Sequence, residues 1–148
     1  MGLIGSAKPF VVASACDIIG GHSVIICGDK EQAAYFYNDL ENIFGEKDAD
    51  YSKKRILFYP TSYKRPYEPE KADSTYILSR TEVLQRVSSS ERKTVIVTYP
   101  EALSEKVITR KVMNKNTFKI SVGENISMDK LTDSLVNLNF EHADFVVE

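Results

Sequence analysis

Apolar residues in the first 110 residues follow two alternating patterns, short continuous runs and stretches with helical spacing. Continuous runs predict strands at Val24–Cys27, Ile56–Tyr59 and Thr94–Thr98. We expect the first of them to be buried on both faces of a parallel sheet, because strands with one wet face alternate apolar and polar residues. The three runs therefore predict the strands of one sheet.

Helical spacing predicts a helix before the first strand and one between each pair of strands. These helices cover Pro9–Ile19, Asp29–Gly45 and the stretch from Asp73 or Ser74 to Ser88. Asp29 is expected to cap the second helix and Gly45 to end it. The resulting β-α-β-α-β series requires right-handed crossovers, so it predicts an α/β domain with a three-layer parallel sheet.

The pattern changes after about residue 110. Thr117–Val122 alternates apolar and polar residues, which predicts a half-buried strand. Ser127 then precedes a predicted helix, and Asp144–Val147 begins another strand. The helix carries an apolar stripe made by Met128, Leu131, Leu135 and Leu138. We therefore predict one domain over residues 1–110 and the first β-α-β part of a truncated α+β domain over residues 111–148.

Composition excludes several classes of protein. The 148 residues are 43% hydrophobic and 27% charged, which is enough to form a packed core. The net charge of −2 gives no general attraction to nucleic acid or to an anionic membrane. No apolar run approaches the ~20 residues that cross a bilayer, so no membrane partner is predicted.

The cysteines and histidines favour a cytoplasmic protein without a metal. Cys16 and Cys27 lie in apolar surroundings and are expected to be free core thiols, as in a reducing compartment. His22 and His142 are far apart and have no cysteine at ligand spacing, so no zinc site is predicted.

Residues 2–9 have the spacing of a phosphate-binding loop, G-x-x-x-x-G-K-[ST], but lack two of its functional groups. Gly2 and Lys8 match, whereas Ala7 replaces the second glycine and Pro9 replaces the magnesium-binding hydroxyl. The degenerate loop consists of Gly2, Gly5, Ser6, Ala7, Lys8 and Pro9. We expect the helix start to be kept and the nucleotide site lost, with Lys8 as a candidate contact for a bound anion. The alternative is an ordinary glycine-rich helix start.

A second hypothesis is nucleic-acid binding. Tyr63–Tyr67 interleaves basic and aromatic residues, as stacking on unpaired bases requires, and Lys53–Arg55 could add phosphate contacts. The alternative, which we favour, is that the tyrosines cover the end of the sheet and the charges stay solvated.

Five ordered segments resemble the N-terminal region of the bacterial transcription-repair coupling factor (Mfd) family, whose first domains are similar to the excinuclease component UvrB. The segments are Gly2–Lys8, Phe58–Glu68, Leu78–Leu84, Val95–Leu103 and Val122–Ser127. The first corresponds to the family's degenerate phosphate loop, and the third to its "xxSxRxxxL" helix. The resemblance covers essentially the whole chain and implies a RecA-like first domain.

The resemblance also implies a function. In the family, a separate motor hydrolyses ATP, translocates on duplex DNA and displaces stalled RNA polymerase, while the UvrB-like module has no ATPase activity and its second domain recruits UvrA to nucleotide excision repair. We carry over Glu141 and His142 as candidate UvrA contacts, since most of that interface would lie beyond Glu148. No catalytic residue, metal or bound cofactor is expected. The alternative is a nucleic-acid-binding fragment of a P-loop protein similar to the excinuclease component UvrB.

Overall fold

The computed structural model describes residues 2–63, 73–89, 93–117, 120–138 and 140. The chain divides into two compact units, Met1–Lys106 and Val107–Glu148. That these units correspond to the two predicted domains, residues 1–110 and 111–148, remains a prediction. No helix among the described residues is long and apolar enough to cross a membrane.

The first unit contains four helices and three strands within the described residues. They are α1 (Ala7–Ile18), β1 (Ser23–Ile26), α2 (Lys30–Phe44), β2 (Ile56–Phe58), α3 (Ser74–Ser89), β3 (Val95–Thr98) and α4 (Pro100–Ser104). A single 3-10 turn, Tyr51–Lys53, lies in the stretch between α2 and β2. All three predicted strands and all three predicted helices are therefore present, with ends within about two residues of those expected.

The strands form an all-parallel sheet in the order β1-β3-β2, which confirms the predicted α/β fold. The Tyr37 ring of α2 lies 5.4 Å from the Phe58 ring, and the Arg80 guanidinium of α3 lies 4.3 Å from the Tyr59 ring. Because successive strand residues point to opposite sides, α2 and α3 cover opposite faces. The central strand β3 is buried along its whole length.

The expectation that the first strand is buried on both faces is wrong. Val24 is 54% exposed and Ile26 59% exposed, whereas the intervening Ile25 is partly buried. Val24 and Ile26 point to the same face of the sheet, and this face stays accessible along β1. The edge position alone is not the reason, because Ile56 and Leu57 of the other edge strand, β2, are fully buried. An apolar run does not reveal whether both faces of a strand are covered.

Side chains define the helix ends largely as predicted. The Asp29 carboxylate accepts a hydrogen bond of 2.8 Å from the Gln32 backbone N–H, and Gly45 ends α2 with a φ of 67°. The Asp73 carboxylate accepts one of 3.1 Å from the Tyr76 backbone N–H, so Asp73 caps α3. Local capping signals thus fixed both boundaries.

The second unit contains α5 (Arg110–Lys115) and α6 (Met128–Asn137). The predicted helix after Ser127 is present, but the Ser127 side chain makes no capping hydrogen bond. The predicted strand at 117–122 is absent from its described residues, Thr117 and 120–122, and residues 118 and 119 lie outside the described part. The predicted strand Asp144–Val147 also lies outside it.

Arg80, from the middle of α3, joins three parts of the first unit. Its guanidinium donates hydrogen bonds to the Pro60 carbonyl (2.6 Å) and the Ala102 carbonyl (3.1 Å) and lies 3.3 Å from a Glu105 carboxylate oxygen. It also stacks on the Tyr59 ring. Because its side chain is only 8% exposed, these partners replace the water that the charge gives up. Arg80 therefore ties α3 to the end of β2 and to α4.

Arg86, further along α3, ties this helix to the stretch that precedes β2. It donates to the backbone carbonyls of Tyr51 (3.0 Å), Ser52 (2.7 Å) and Lys54, and its Nε contacts Glu82 at 2.6 Å. Since the last carbonyls of a helical turn lack partners within it, Arg86 satisfies the end of the 3-10 turn.

We predict that Arg80→Met lowers the free energy of unfolding by about 3 kcal/mol, because two carbonyls and a carboxylate lose their buried partner. Arg80→Lys keeps the charge without the planar fork and should recover part of the loss. Urea unfolding followed by circular dichroism measures both. Gln85→Met, on the exposed side of the same helix, is the control and should change stability by less than about 0.5 kcal/mol. Equal effects of Arg80→Met and Gln85→Met would contradict the role given to Arg80.

Candidate functional site

The degenerate phosphate loop lies immediately before and within the first turn of α1. Gly5 has a φ of 59°, which favours glycine, and the Ala7 N–H donates to the Ile4 carbonyl at 3.3 Å. Lys8 is the second residue of α1 and is exposed, while Pro9 is the third and is buried. The loop therefore turns the chain sharply into the helix and leaves the lysine accessible.

The residues of this loop do not fit a magnesium nucleotide. Pro9 occupies the position of the metal-binding hydroxyl and has neither a hydroxyl nor an N–H. Ala7 brings a methyl group where the intact motif has a bare backbone. No cluster of three or more acidic, histidine or cysteine side chains suited to a metal occurs in the described part of the chain.

A cavity of about 350 Å³ opens beside Lys8, between α1, α2 and the end of β1. Its apolar lining comes from Leu3, Val12, Ile25, Ile26 and Phe36, and its polar lining from Lys8, Cys27, Gly28 and Gln32. Burial, and secondly the nearby Asp29 carboxylate, raise the pKa of the Cys27 thiol. Both cysteines are free, as predicted, with Cys16 buried and Cys27 partly buried.

A second cavity, of about 340 Å³, lies where the carboxyl ends of all three strands meet, and we name it the carboxyl-edge cavity. It is lined by Asp29, Lys30, Glu31, Thr61, Tyr63, Tyr99 and Glu101. Glu101 lies in the first turn of α4. What the sequence does not reveal is that Glu101 faces the same space as Glu31 and Asp29.

The basic residues of the nucleic-acid hypothesis that the structure describes, Lys53–Arg55, are paired with carboxylates. The pairs are Lys53–Asp50 at 3.0 Å, Lys54–Glu41 at 2.5 Å and Arg55–Asp17 at 2.6 Å. Lys54 and Glu41 are almost completely buried, and the Tyr37 hydroxyl donates to the same carboxylate at 2.5 Å. This stretch is therefore locally neutralised, which argues against a phosphate-binding surface there. The expectation that its charges stay solvated is wrong for Lys54, whose ammonium is buried against Glu41. Tyr63 lines the carboxyl-edge cavity, and residues 64–67 lie outside the described part.

The remaining candidate residues cannot be placed in a site. Glu141 and His142, the proposed UvrA contacts, lie outside the described residues. Sequence reasoning missed the carboxyl-edge cavity, for which the parallel strand order was the available signal. Parallel strands end at one edge, so residues just after each strand converge there.

Comparison with known proteins finds relatives among the UvrABC system B proteins. UvrABC system protein B of Methanosarcina acetivorans is 24% identical over 148 residues, which cover 97% of this chain and 22% of that protein. The Treponema denticola protein of the same name is 26% identical over 151 residues, covering 99% and 23%. The Thermosipho africanus protein is 24% identical over 150 residues, also covering 99% and 23%. The chain contains a UvrB-like region.

The similarity extends over nearly the whole chain but over less than a quarter of each of these relatives. No family model matches the chain, and no solved structure matches it. The UvrB-like assignment therefore agrees with the UvrB part of the sequence resemblance, and the coupling-factor part remains a proposal.

We predict that Cys27 titrates at higher pH in the folded chain than in the urea-unfolded chain, because burial disfavours its thiolate. Alkylation rates of a Cys16→Ser variant measured from pH 7 to 10 report the midpoint. Asp29→Asn keeps a capping oxygen and should lower the midpoint only in part, since burial is the larger cause. Identical pH profiles for the folded and unfolded chains would contradict this prediction.

Proposed function

We propose that this chain is a non-catalytic, UvrB-like module of a cytoplasmic protein that acts in nucleotide excision repair. The support is similarity to UvrABC system B proteins over 97% to 99% of the chain. The parallel sheet and its phosphate-loop position before α1 are compatible with that similarity. The chain spans less than a quarter of the length of these relatives. The role in nucleotide excision repair is therefore also part of the proposal.

The finer proposal is that the module belongs to a transcription-repair coupling factor. One observation carries it: a UvrB-like chain has Ala7 and Pro9 where a working nucleotide loop needs glycine and a hydroxyl. A module that has lost its nucleotide site suits a protein whose ATPase motor lies in other domains. Those domains would engage duplex DNA and RNA polymerase, and Lys8 would retain at most a single bound anion.

The second candidate function is a nucleic-acid-binding fragment of a P-loop protein similar to the excinuclease component UvrB. The names of the relatives favour it directly. The pairing of Lys53, Lys54 and Arg55 with carboxylates argues against a phosphate-binding surface at that stretch. Tight nucleotide binding would favour this second candidate, because it would show that the loop still works in spite of Ala7 and Pro9.

The proposed partner is UvrA, since the relatives are components of a UvrABC system. In this proposal the second unit supplies the contact, with Glu141 and His142 at its rim. Specific interfaces depend on a few central residues, so a rim alone gives weak binding.

We predict that the chain binds Mg²⁺-ATP no more tightly than about 1 mM, because the backbone cradle and the metal ligand are both missing. Isothermal titration with ATP and Mg²⁺ measures this. The variant carrying Ala7→Gly and Pro9→Thr restores the motif and should still show no ATP turnover, since the motor partner is absent. A micromolar dissociation constant for the unmodified chain would overturn the coupling-factor proposal and favour the second candidate.

We also predict weak capture of UvrA from the same organism, with a dissociation constant above about 10 µM. Glu141→Ala with His142→Ala should weaken it at least fivefold, whereas Asp39→Ala, on the exposed side of α2, should not. Biolayer interferometry with immobilised chain measures all three. Nanomolar binding that the double variant leaves unchanged would show that the interface lies elsewhere.

A further inference from the structure

The carboxyl-edge cavity lies at a point where the direction of the chain reverses. The chain leaves β1 into α2, on one face of the sheet. It leaves the neighbouring strand β3 into α4, and the Ala102 carbonyl of α4 accepts a hydrogen bond from Arg80 of α3, on the opposite face. Two adjacent parallel strands that exit to opposite faces leave a crevice between their ends, and such crevices are the usual ligand sites of open α/β sheets.

At the floor of this cavity, the hydroxyl groups of Thr61 and Tyr99 donate their protons to acceptors within the protein. The Thr61 hydroxyl donates to the Tyr63 carbonyl at 2.8 Å, so its single proton is committed. The Tyr99 hydroxyl accepts from the Thr61 backbone N–H at 2.9 Å and lies 3.1 Å from the Thr61 hydroxyl oxygen. The Tyr99 proton must therefore point to that oxygen. Thr61 and Tyr99 have no proton left to donate to a ligand.

The rim of the cavity is rich in acceptors. Glu31, in the first turn of α2, and Glu101, in the first turn of α4, are both exposed. The Asp29 carboxylate accepts from both the backbone and the side chain of Gln32. Lys30 is the one cation among the described lining residues, and its ammonium lies over the Tyr76 ring at 5.1 Å. With three carboxylates against one ammonium, this lining favours a cation.

We propose that the carboxyl-edge cavity binds an arginine side chain presented by a protein partner. A guanidinium is a planar cation with five N–H donors and no acceptor, which matches the Tyr63 ring flanked by carboxylates. Its face can stack on the partly buried Tyr63 ring, while its edge donates to Glu31 and Glu101. A nucleic-acid phosphate would instead meet these carboxylates with like charge. The proposal does not depend on the function proposed above.

The test is an NMR titration of the 148-residue chain with the blocked peptide acetyl-Ala-Arg-Ala-amide at low salt. We expect saturable shifts of the Lys30, Thr61 and Glu101 amides. Ethylguanidinium at the same concentration should shift the same amides more weakly, because a peptide adds backbone contacts. Glu31→Gln with Glu101→Gln should weaken peptide binding at least fivefold. Asp39→Asn removes one exposed carboxylate about two turns further along α2 and should leave binding within twofold.

Four outcomes would overturn the proposal. Equal binding of acetyl-Ala-Nle-Ala-amide, in which norleucine replaces arginine, would show an apolar cavity without charge recognition. Equal weakening by Asp39→Asn would show general electrostatic attraction. Tighter binding of ethylguanidinium than of the peptide would favour a small-molecule site. Peptide-induced shifts that do not saturate, in a chain whose spectrum shows that it is folded, would show that no specific site exists.

Discussion

Parallel pairing on both sides of β3 is the constraint on which the rest of the first unit depends. Val95 is in register with Ser23 of β1 and with Ile56 of β2, and all four residues of β3 are buried. The buried Thr98 hydroxyl donates to the Tyr59 carbonyl at 2.9 Å just beyond the end of β2. Because all three strands run in one direction, their following loops meet at one edge. That edge holds both cavities and every candidate ligand contact in the described first unit.

Buried charges hold the loops at the two ends of this sheet. Arg80 fastens the carboxyl end of β2 to α4, while Arg86 and the pair of Lys54 with Glu41 fasten the stretch that enters β2. Losing one member of such a set is costly because the remaining partners stay buried without compensation. These buried charges therefore stabilise the fold, whereas the exposed carboxylates Glu31 and Glu101 face the carboxyl-edge cavity and are accessible to a ligand.

Several features could be predicted from local sequence because local physics determines them. Apolar periodicity defined the three strands and the helices between them, Asp29 and Gly45 marked the ends of α2, and Pro9 marked the start of α1. Proline suits the first turn of a helix and has no backbone N–H to donate, so Pro9 alone both favours the helix start and removes a hydrogen-bond donor from the loop. The UvrB-like resemblance added a family context that periodicity could not supply.

By itself, then, the sequence determined the order of elements, the parallel α/β class and the loss of the phosphate-loop groups. Only the tertiary structure decided that β1 is an edge strand, that Arg80 is a buried tie, and that Glu31 and Glu101 face one cavity. The physical reason is sequence separation. Glu31 and Glu101 follow strands that become neighbours only when β3 inserts between β1 and β2, and no local pattern encodes that insertion.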